Sequence, residues 1–267
     1  MILCICVILS LGHSNLRFGK NREGDILLKG MHFSNFQKGD LYRHELKYEI
    51  NACQVELLKN KLAEVVASDS HTNSSGMYQV RSVYFDDFWN TCYYDNENSH
   101  DPREKFRIRI YNGSDQKISL ELKRKQFGKT LKTACPIPRE YVEKLIDGEL
   151  FPWDDNAHPL MKKFYIWLQT RYGQPKVIVN YDRIPFVYPD GVVRITLDTN
   201  IMASVCYDQF FCEYLPGRPI MPAGRHLLEV KYNELIPDHI FRTTQVNNLV
   251  KTTFSKYYLC RKFGGFI

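Results

Sequence analysis

The chain has 267 residues and 44% hydrophobic content, which is enough apolar sequence to bury a full core in one large domain. Its formal net charge of +6 is only mildly basic, so it predicts neither a charged tail nor a nucleic-acid-binding stripe. The eight cysteines show no Cys-x-x-Cys and no paired Cys/His spacing. This argues against metal–thiolate sites and favours a reducing compartment, although the even count leaves disulfides open.

The N-terminal region carries no pattern of regular structure. Residues 1–11 are apolar but too few to span a bilayer as a helix, which needs about 20 residues. They also lack the basic leader and cleavage pattern of a secretory signal. We interpret residues 1–40 as a loose leader or the stump of an apolar segment, with a signal peptide as the alternative, and residues 41–267 as one domain.

The first predicted elements of that domain are a strand and a helix. Residues 43–50 alternate charged and apolar side chains, which places Glu45 and Lys47 on one face of a strand. Asn51 then caps a helix predicted over residues 52–67. Its apolar positions follow helical spacing and predict a face that packs against a sheet: Val55, Leu58, Leu62 and Val65.

Residues 105–125 hold the clearest pattern of the chain, two alternating runs separated by Asn112-Gly113. This predicts two antiparallel strands and a tight turn. Each strand has one apolar and one charged face, and the charged faces carry Arg107, Arg109, Glu121, Lys123 and Lys125. Considered without the rest of the chain, this pattern predicts a half-buried hairpin whose charged side faces water.

Further strands and helices surround this hairpin. The strands are predicted at residues 78–86, 176–187, 191–199 and 226–232, and the helices at residues 138–147 and 159–171, with a helical tail from Pro237. Residues 90–103 show no clear period. Because strands come in runs, without regular βαβ alternation, the sequence predicts an α+β fold with a mainly antiparallel sheet.

The charged strand faces allow two architectures. Glu-x-Lys occurs on three predicted strands, at Glu45-Lys47, Glu121-Lys123 and Glu229-Lys231. If these faces meet bulk water, the apolar faces share one core, as in a sandwich. If they point inward, the sheet forms a closed antiparallel barrel with the helices packed outside. The interior of such a barrel would bind polyanions.

The balance of charge in that interior favours a phosphate ligand. Eight cations would face three carboxylates, Glu45, Glu121 and Glu229; the cations are Lys47, Arg107, Arg109, Lys123, Arg183, Arg194, Lys231 and Lys256. Unpaired buried charge is costly, and a chain of phosphates would supply the counter-charge. Arginine can grip phosphate with its planar fork, while the carboxylates can hold Mg²⁺ or Mn²⁺.

Seven segments, in order along the chain, resemble the VTC domain, the polyphosphate polymerase domain of the vacuolar transporter chaperone family of triphosphate tunnel metalloenzymes. They are Arg43–Tyr48, Val80–Asp86, Lys105–Tyr111, Leu120–Lys125, Val193–Asn200, Leu228–Lys231 and Phe254–Tyr257. The resemblance implies a tunnel of about eight antiparallel strands. Inside it, the terminal phosphoryl group of ATP would pass to a growing polyphosphate chain.

The resemblance also implies roles for individual residues. Seven cations become phosphate contacts: Lys47, Arg107, Arg109, Lys123, Arg183, Arg194 and Lys256. All of these except Arg194 are also candidates for a catalytic role. Glu229 becomes the metal ligand, with Glu45 and Glu121 as further candidate carboxylates, whereas Lys231 is included because of its strand face.

One position departs from the family pattern. About eleven residues before Arg107, where the family carries a further Lys or Arg, this chain has Asn96. The expected partners are ATP and inorganic polyphosphate, with Mn²⁺ or Mg²⁺ and without nucleic acid. We expect a cytoplasmic location, with association at a membrane surface left open. A triphosphate or nucleoside-triphosphate hydrolase and a non-catalytic polyphosphate or inositol-polyphosphate binding module are the alternative functions.

Overall fold

A computed structural model describes residues 17–20, 26–29, 42–68, 76–188, 193–246 and 249–264. The chain divides into two compact units, Met1–Asp40 and Leu41–Ile267. In the first unit, two short strands for which the sequence shows no pattern pair antiparallel, β1 (Arg17–Lys20) and β2 (Ile26–Lys29). The apolar stretch at residues 1–11 lies outside the described residues.

The second unit is built on one antiparallel sheet of eleven strands. Eight strands have eight residues or more: β3 (His44–Asn51), β5 (Tyr78–Asp86), β6 (Arg103–Tyr111), β7 (Ser114–Gln126), β8 (Lys129–Pro136), β9 (Gln174–Val187), β10 (Val193–Ser204) and β12 (Arg225–Tyr232). Three have two residues: β4 (Ala67–Ser68), β11 (Arg218–Pro219) and β13 (Val250–Lys251). The predicted α+β class with an antiparallel sheet is confirmed.

The strand order shows how far the sheet curls. Its main path runs β13-β3-β12-β10-β9-β5-β6-β7-β8, while β4 pairs with β9 and β11 with β10. The end of this path returns to its beginning at one bridge, where Arg43 and Thr130 exchange two backbone hydrogen bonds of 2.9 Å. Within the described residues no continuous ladder joins β8 to β3, so the predicted closed barrel is not established.

The central hairpin is confirmed. β6 and β7 pair antiparallel, and both turn residues have positive φ, 52° at Asn112 and 67° at Gly113, as a tight hairpin turn requires. A second turn of the same kind at Phe127-Gly128, with φ of 51° and 73°, leads into β8. The sequence did not predict β8, because few of its residues are apolar and they do not alternate clearly with polar ones.

Six α-helices accompany the sheet in the described residues: α1 (Ala52–Ala63), α2 (Thr91–Glu97), α3 (Arg139–Ile146), α4 (Pro159–Arg171), α5 (Asp238–Thr244) and α6 (Lys256–Gly264). The predictions of α3 and α4 are confirmed. None of the described helices combines the length and hydrophobicity needed to cross a membrane.

Two helix predictions need correction, and one helix, α2, was not predicted. α1 ends at Ala63, because the chain then turns and β4 pairs with β9; Val65 is therefore exposed, and Val66 is buried in its place. α2 lies in the stretch without a period. The tail from Pro237 is not one helix, because β13 pairs with β3 between α5 and α6.

The two faces of the sheet have opposite character. The outer face buries two apolar clusters, one beneath α3 and α4 and one beneath α1 and α5. Along β6, Phe106, Ile108 and Ile110 point outward and are at most 2% exposed, as the alternation predicts. The opposite face, here called the inner face, carries Arg107 and Glu229 and packs in part against α6.

Candidate functional site

The inner face lines a cavity of about 90 Å³. Its walls carry eight basic side chains, Lys47, Lys105, Arg107, Arg109, Lys123, Arg183, Lys231 and Lys256. They also carry two carboxylates, Glu45 and Glu229. Side chains alternate along a strand, and residues directly opposite each other on paired strands point to the same face of the sheet, as Lys47 and Glu229 do. Strands β3, β5, β6, β7, β9 and β12 together with the start of α6 build the site in this way.

Glu229 lies at the centre of the densest ion-pair cluster. Its Oε1 is 2.6 Å from Lys256 Nζ and 3.8 Å from Lys47 Nζ, and its Oε2 is 3.0 Å from Lys231 Nζ. Burial would raise the pKa of Glu229, but Lys231 and the other nearby cations outweigh burial and hold that pKa well below its usual range. Glu229 therefore stays ionised at neutral pH.

Asp198 completes this cluster, although the sequence analysis assigned it no role. It accepts two hydrogen bonds from Arg183, from Nε at 2.6 Å and from Nη2 at 2.7 Å, and Lys256 Nζ lies 2.6 Å away. Burial would raise the pKa of Asp198, but Arg183 and Lys256 lower it overall. The sequence did contain a signal for this role, because Asp198 alternates with Thr196 and Arg194 along β10 and so lies on the same strand face as the predicted cation Arg194.

Glu45 links the cluster to the β6–β7 hairpin. Its Oε2 accepts a hydrogen bond of 2.8 Å from Lys123 Nζ, and its Oε1 is 3.5 Å from Lys231 Nζ. Burial would raise the pKa of Glu45, but Lys123, Lys47 and Lys231 hold it well below its usual range. Burial in turn lowers the pKa of Lys123 to about 8, against the opposing charge of Glu45.

Glu121 forms a separate centre, next to the cavity but not among its lining residues. Arg107 Nε donates to its Oε2 at 2.6 Å, Arg109 Nη1 is 3.8 Å from the same oxygen, and Lys132 Nζ donates to Oε1 at 3.2 Å. Burial would raise the pKa of Glu121, but Arg107 and Arg109 lower it overall. Arg107 Nη1 also donates to the hydroxyl of Tyr84 at 2.8 Å.

Lys105 is a lining residue that the sequence analysis did not assign, although it has the same parity as Arg107. Its Nζ lies 3.5 Å from Ser255 Oγ and 4.5 Å from the centre of the Tyr257 ring. Burial lowers the pKa of Lys105 to about 7. Among the described residues no carboxylate forms an ion pair with Lys105, so the hydroxyl and the aromatic ring leave its charge poorly compensated.

A buried network holds the start of α6 at the cavity. The Tyr257 hydroxyl donates to Asp86, and Arg261 Nη1 donates to the Tyr257 hydroxyl at 3.0 Å. Asp86 also accepts from the backbone amides of Cys92 and Tyr93, at 2.8 and 3.0 Å, and so fixes the start of α2. Because Lys256 begins α6, this network sets the position of its ammonium group.

Two residues highlighted by the sequence lie elsewhere. Arg194 is not among the residues that line the cavity, and its Nη2 donates to the Tyr78 hydroxyl at 2.9 Å. Asn96 lies half-buried on α2 and also does not line the cavity. The remaining predicted cations, Lys47, Arg107, Arg109, Lys123, Arg183, Lys231 and Lys256, all do.

The site carries an excess of positive charge. Eight cations and two carboxylates line the cavity, and two more carboxylates, Glu121 and Asp198, contact these cations. The formal excess is therefore four positive charges, reduced by whatever fraction of Lys105 is neutral near pH 7. Such a cluster favours a ligand with several negative charges that accepts hydrogen bonds in many directions.

The carboxylates suit a divalent cation that is shared with a ligand. No group of three or more His, Cys, Asp or Glu side chains suited to a metal ion occurs in the described ranges. Mg²⁺, however, is usually held by one or two carboxylates together with phosphate oxygens and water. Glu229 and Glu45 fit this arrangement, because both are ionised, face the cavity and share Lys231 as a neighbour.

A second, wider groove of about 770 Å³ lies at the edge formed by β3, β13 and the start of α1. Its lining combines Glu49, Arg225 and Lys251 with apolar and neutral polar residues. Glu49 and Arg225 are paired at 3.6 Å and both half-exposed. Because this groove lacks the cation cluster, the smaller cavity on the inner face is the candidate site.

The structure is similar to several solved structures at low sequence identity. A Hippeastrum protein described as a candidate adenylyl cyclase with dominant triphosphatase activity shares 13% identity over 83% of this chain and 96% of that chain, with a TM-score of 0.48. A candidate adenylate cyclase from Bacillus halodurans shares 13% over 75% and 86%, with a TM-score of 0.42. The Mimivirus capping-enzyme triphosphatase shares 10% over 79% and 93%, with a TM-score of 0.35. Similarities this weak carry no argument about function.

No curated protein is similar enough to this chain to count as a match. The model of one protein family, the VTC domain, matches residues 42–263, which is most of the chain and covers the whole sheet with its charged inner face. This match agrees with the resemblance carried by the seven sequence segments. The chain belongs to the VTC-domain family.

Proposed function

We propose that this chain is a metal-dependent polyphosphate polymerase, which transfers the terminal phosphoryl group of ATP to a growing polyphosphate chain. The observation that carries the proposal is the convergence of eight basic side chains on one cavity, with four carboxylates of the described residues in contact with them. Membership of the VTC-domain family supports the same substrate class. In this proposal the curled sheet acts as a closed tunnel, with Arg43 and Thr130 at the seam.

The arginines provide fixed positions for phosphate groups. Arg107 is held by Glu121 and Tyr84, Arg109 donates to Ser82 Oγ at 3.1 Å, and Arg183 is held by Asp198. A guanidinium held on one side can still offer its remaining N–H groups to phosphate oxygens. These side chains orient the phosphates for in-line transfer, which is the main requirement of phosphoryl-transfer catalysis.

The lysines provide mobile charge. Lys47, Lys123, Lys231 and Lys256 contact the carboxylates of Glu45 and Glu229 in the ligand-free site. The flexible stem of lysine allows its ammonium to move a short distance from a carboxylate to a phosphate oxygen. When phosphates bind, the lysines would thus pair with phosphate oxygens, and oxygens of Glu45 and Glu229 would be released from their ion pairs. Lys256, the first residue of α6, and Ser255 just before it add the positive end of a helix to this wall.

The freed oxygens of Glu229 and Glu45 would hold Mn²⁺ or Mg²⁺ together with the phosphates. When bound, the metal ion would neutralise negative charge on the phosphate oxygens as the phosphoryl group is transferred. Glu121 is better suited to positioning Arg107 and Arg109 than to binding metal, because two guanidinium groups and Lys132 surround it.

The attacking oxygen needs no general base. A terminal phosphate has a second pKa of about 6, so it is already largely ionised at neutral pH. Catalysis can then come from orientation and from preorganised positive charge around the transferred group. Hydrolysis would in addition need a side chain that orients an attacking water molecule.

Incubation of the purified chain with ATP and Mn²⁺ tests the proposal. We expect polyphosphate chains that lengthen with time, measured by gel electrophoresis and phosphorus NMR, with ADP formed in proportion to the phosphate incorporated. Release of free phosphate without chains would instead identify a hydrolase. Tight binding of polyphosphate or inositol polyphosphate with neither product would identify a binding module. Both of these results would refute polymerase activity.

A further inference from the structure

The inner face of the β6–β7 ribbon continues beyond the cavity as a row of cations. In the antiparallel register Arg107 lies opposite Glu121, Lys105 opposite Lys123, and Arg103 opposite Lys125. Same-face residues repeat about every 6.7 Å along a strand. The rung formed by Arg103 and Lys125 therefore lies about 13 Å from the Arg107–Glu121 rung, at the beginning of β6.

The outer two rungs consist of like charges. Directly opposite residues on an antiparallel pair are close neighbours, and like charges at such positions destabilise the pairing. Lys123 is compensated by Glu45, whereas Lys105 contacts a hydroxyl and an aromatic ring. Within the described part of the chain, Lys125 makes no ion pair or side-chain hydrogen bond.

Two acidic residues lie near these cations, but within the described residues neither forms an ion pair with Arg103 or Lys125. Asp101 lies near both cations, and its two oxygens accept hydrogen bonds from the backbone amides of Phe127 and Gly128, at 3.0 and 3.1 Å. Asp95 lies near Arg103, and its Oδ1 is 3.0 Å from His100 Nδ1. Arg103 Nη1 donates to the carbonyl oxygen of His100 at 3.0 Å. Burial lowers the pKa values of Lys125 and Arg103, consistent with cations that lack sufficient counter-charge.

We propose that Arg103 and Lys125 form an anion subsite at one mouth of the cavity, next to Lys105 on its wall, and that this subsite holds the phosphate groups of a condensed phosphate chain that lie outside the cavity. Their cations continue the line set by Arg107 and Lys105, so one linear polyanion can contact the cavity and the outermost rung together. The subsite rests on the proposed function, because the cavity must hold the neighbouring phosphates. It makes affinity depend on chain length.

Calorimetric titration with two linear phosphates, tripolyphosphate and a chain several times longer, tests the subsite. In the full chain, Arg103→Ala and Lys125→Ala are each expected to weaken binding of the long chain roughly tenfold, the loss of one charge-assisted contact. Tripolyphosphate should bind unchanged. Lys125→Arg should keep the affinity for the long chain, and Lys144→Ala, which removes an equal charge from the exposed side of α3, should change neither.

The outcomes separate the subsite from the cavity. If both alanine variants retain the wild-type melting temperature and bind the long chain as tightly as wild type, the subsite is refuted while the cavity stands. If they lose affinity for both ligands alike, the cations belong to the cavity and the separate subsite is again refuted. If wild type binds neither ligand, the proposed function fails and the subsite fails with it.

Discussion

The two carboxylate centres of the inner face differ in the cations that surround them. Glu121 is held mainly by the guanidinium groups of Arg107 and Arg109, whereas Glu229 is surrounded mainly by the ammonium groups of Lys47, Lys231 and Lys256. Arginine offers a rigid fork, while lysine is a mobile point charge. The first centre is therefore suited to holding its cations in place and the second to releasing them.

This difference predicts that the Glu121 centre mainly stabilises the fold, whereas the Glu229 centre mainly serves ligand binding and catalysis. At Glu121, the carboxylate and both arginines are buried or nearly so, with side chains 2%, 12% and 9% exposed. At Glu229, the cations come from four separate elements, β3, β9, β12 and α6, so a ligand can draw the lysines away without unfolding a strand. The comparison predicts that equal substitutions at the two glutamates have different consequences.

The largest expected effect concerns the stability of the Glu121 centre. In Glu121→Gln, Arg107 and Arg109 lose their buried counter-charge, and the free energy of unfolding should fall by about 3–5 kcal/mol. Chemical denaturation of the ligand-free protein measures this loss. Glu104→Gln is the matched control on the opposite face of β6, where the pairs with Lys163 and Arg124 are about one third exposed and should contribute less than about 1 kcal/mol. Equal losses in the two variants would contradict a structural role for Glu121.

The next effect concerns activity at the Glu229 centre. Glu229→Gln should lower metal-dependent turnover at least about a hundredfold, the range expected when a preorganised charged group is lost from a phosphoryl-transfer site. The circular dichroism spectrum should stay that of the wild type. Rates measured across a Mn²⁺ titration check the assignment, with Glu234→Gln, an exposed carboxylate after the end of β12, as the control. Unchanged activity would remove Glu229 from the site.

The same pair of variants distinguishes the metal-binding centre. Glu121→Gln should leave the Mn²⁺ concentration needed for half-maximal rate unchanged, whereas conservative changes at Glu229 or Glu45 should raise it. A large rise in Glu121→Gln alone would assign the metal ion to the Glu121 centre.

The sequence predicts the charged inner face well because a strand has a period of two. This alternation alone places Arg107, Arg109 and Lys123 on the face of their strands that carries no apolar residues, and the turn residues Asn112-Gly113 define the hairpin. Alternation does not show how far along a strand the cavity extends. Lys105 therefore received no role, although it lines the cavity, and Arg194 received one, although it does not.

The missed elements depend on contacts that are distant in sequence. α2 begins at Thr91, where Asn90 has a φ of 57° and no side-chain cap; the amides of its first turn are instead satisfied by Asp86 on β5. α1 ends early because β4 pairs with β9, more than a hundred residues away. Local propensity cannot reveal either event.

Ligand binding should stabilise the protein by an intermediate amount. Because the cavity has an excess of cations, tripolyphosphate is expected to raise the free energy of unfolding by about 2.7 kcal/mol at a hundred times its Kd. Thermal unfolding with tripolyphosphate, compared with chloride at equal ionic strength, measures this. A shift no larger than that of chloride would show that the inner face is not a phosphate site.

The smallest effect concerns pH and Lys105, which faces Lys123, Arg103, Lys47 and Cys92. Burial lowers the pKa of this lysine to about 7, against about 10.4 in an unfolded chain. Below pH 7 it is charged in both states, and the cost of burying the charge is fully present. Between pH 7 and about 10.4 the unfolded chain binds more protons, so this residue should make the ligand-free protein more stable as pH rises.

Phosphate binding should respond to pH in the opposite direction, because a phosphate beside Lys105 favours the charged ammonium. Affinity for tripolyphosphate is expected to fall about tenfold between pH 6.5 and 8, as the free protein must first bind a proton. Calorimetry in buffers of different ionisation enthalpy should detect the uptake of more than one proton at pH 8, close to one by Lys105 and about half by Lys123, whose pKa is about 8. Lys105→Arg keeps the positive charge over this range, so it should remove the larger part of the proton uptake. If the pH dependence persists undiminished in Lys105→Arg, a different group titrates in the site, and the poorly compensated charge that distinguishes Lys105 from the paired lysines around Glu229 is not what the ligand neutralises.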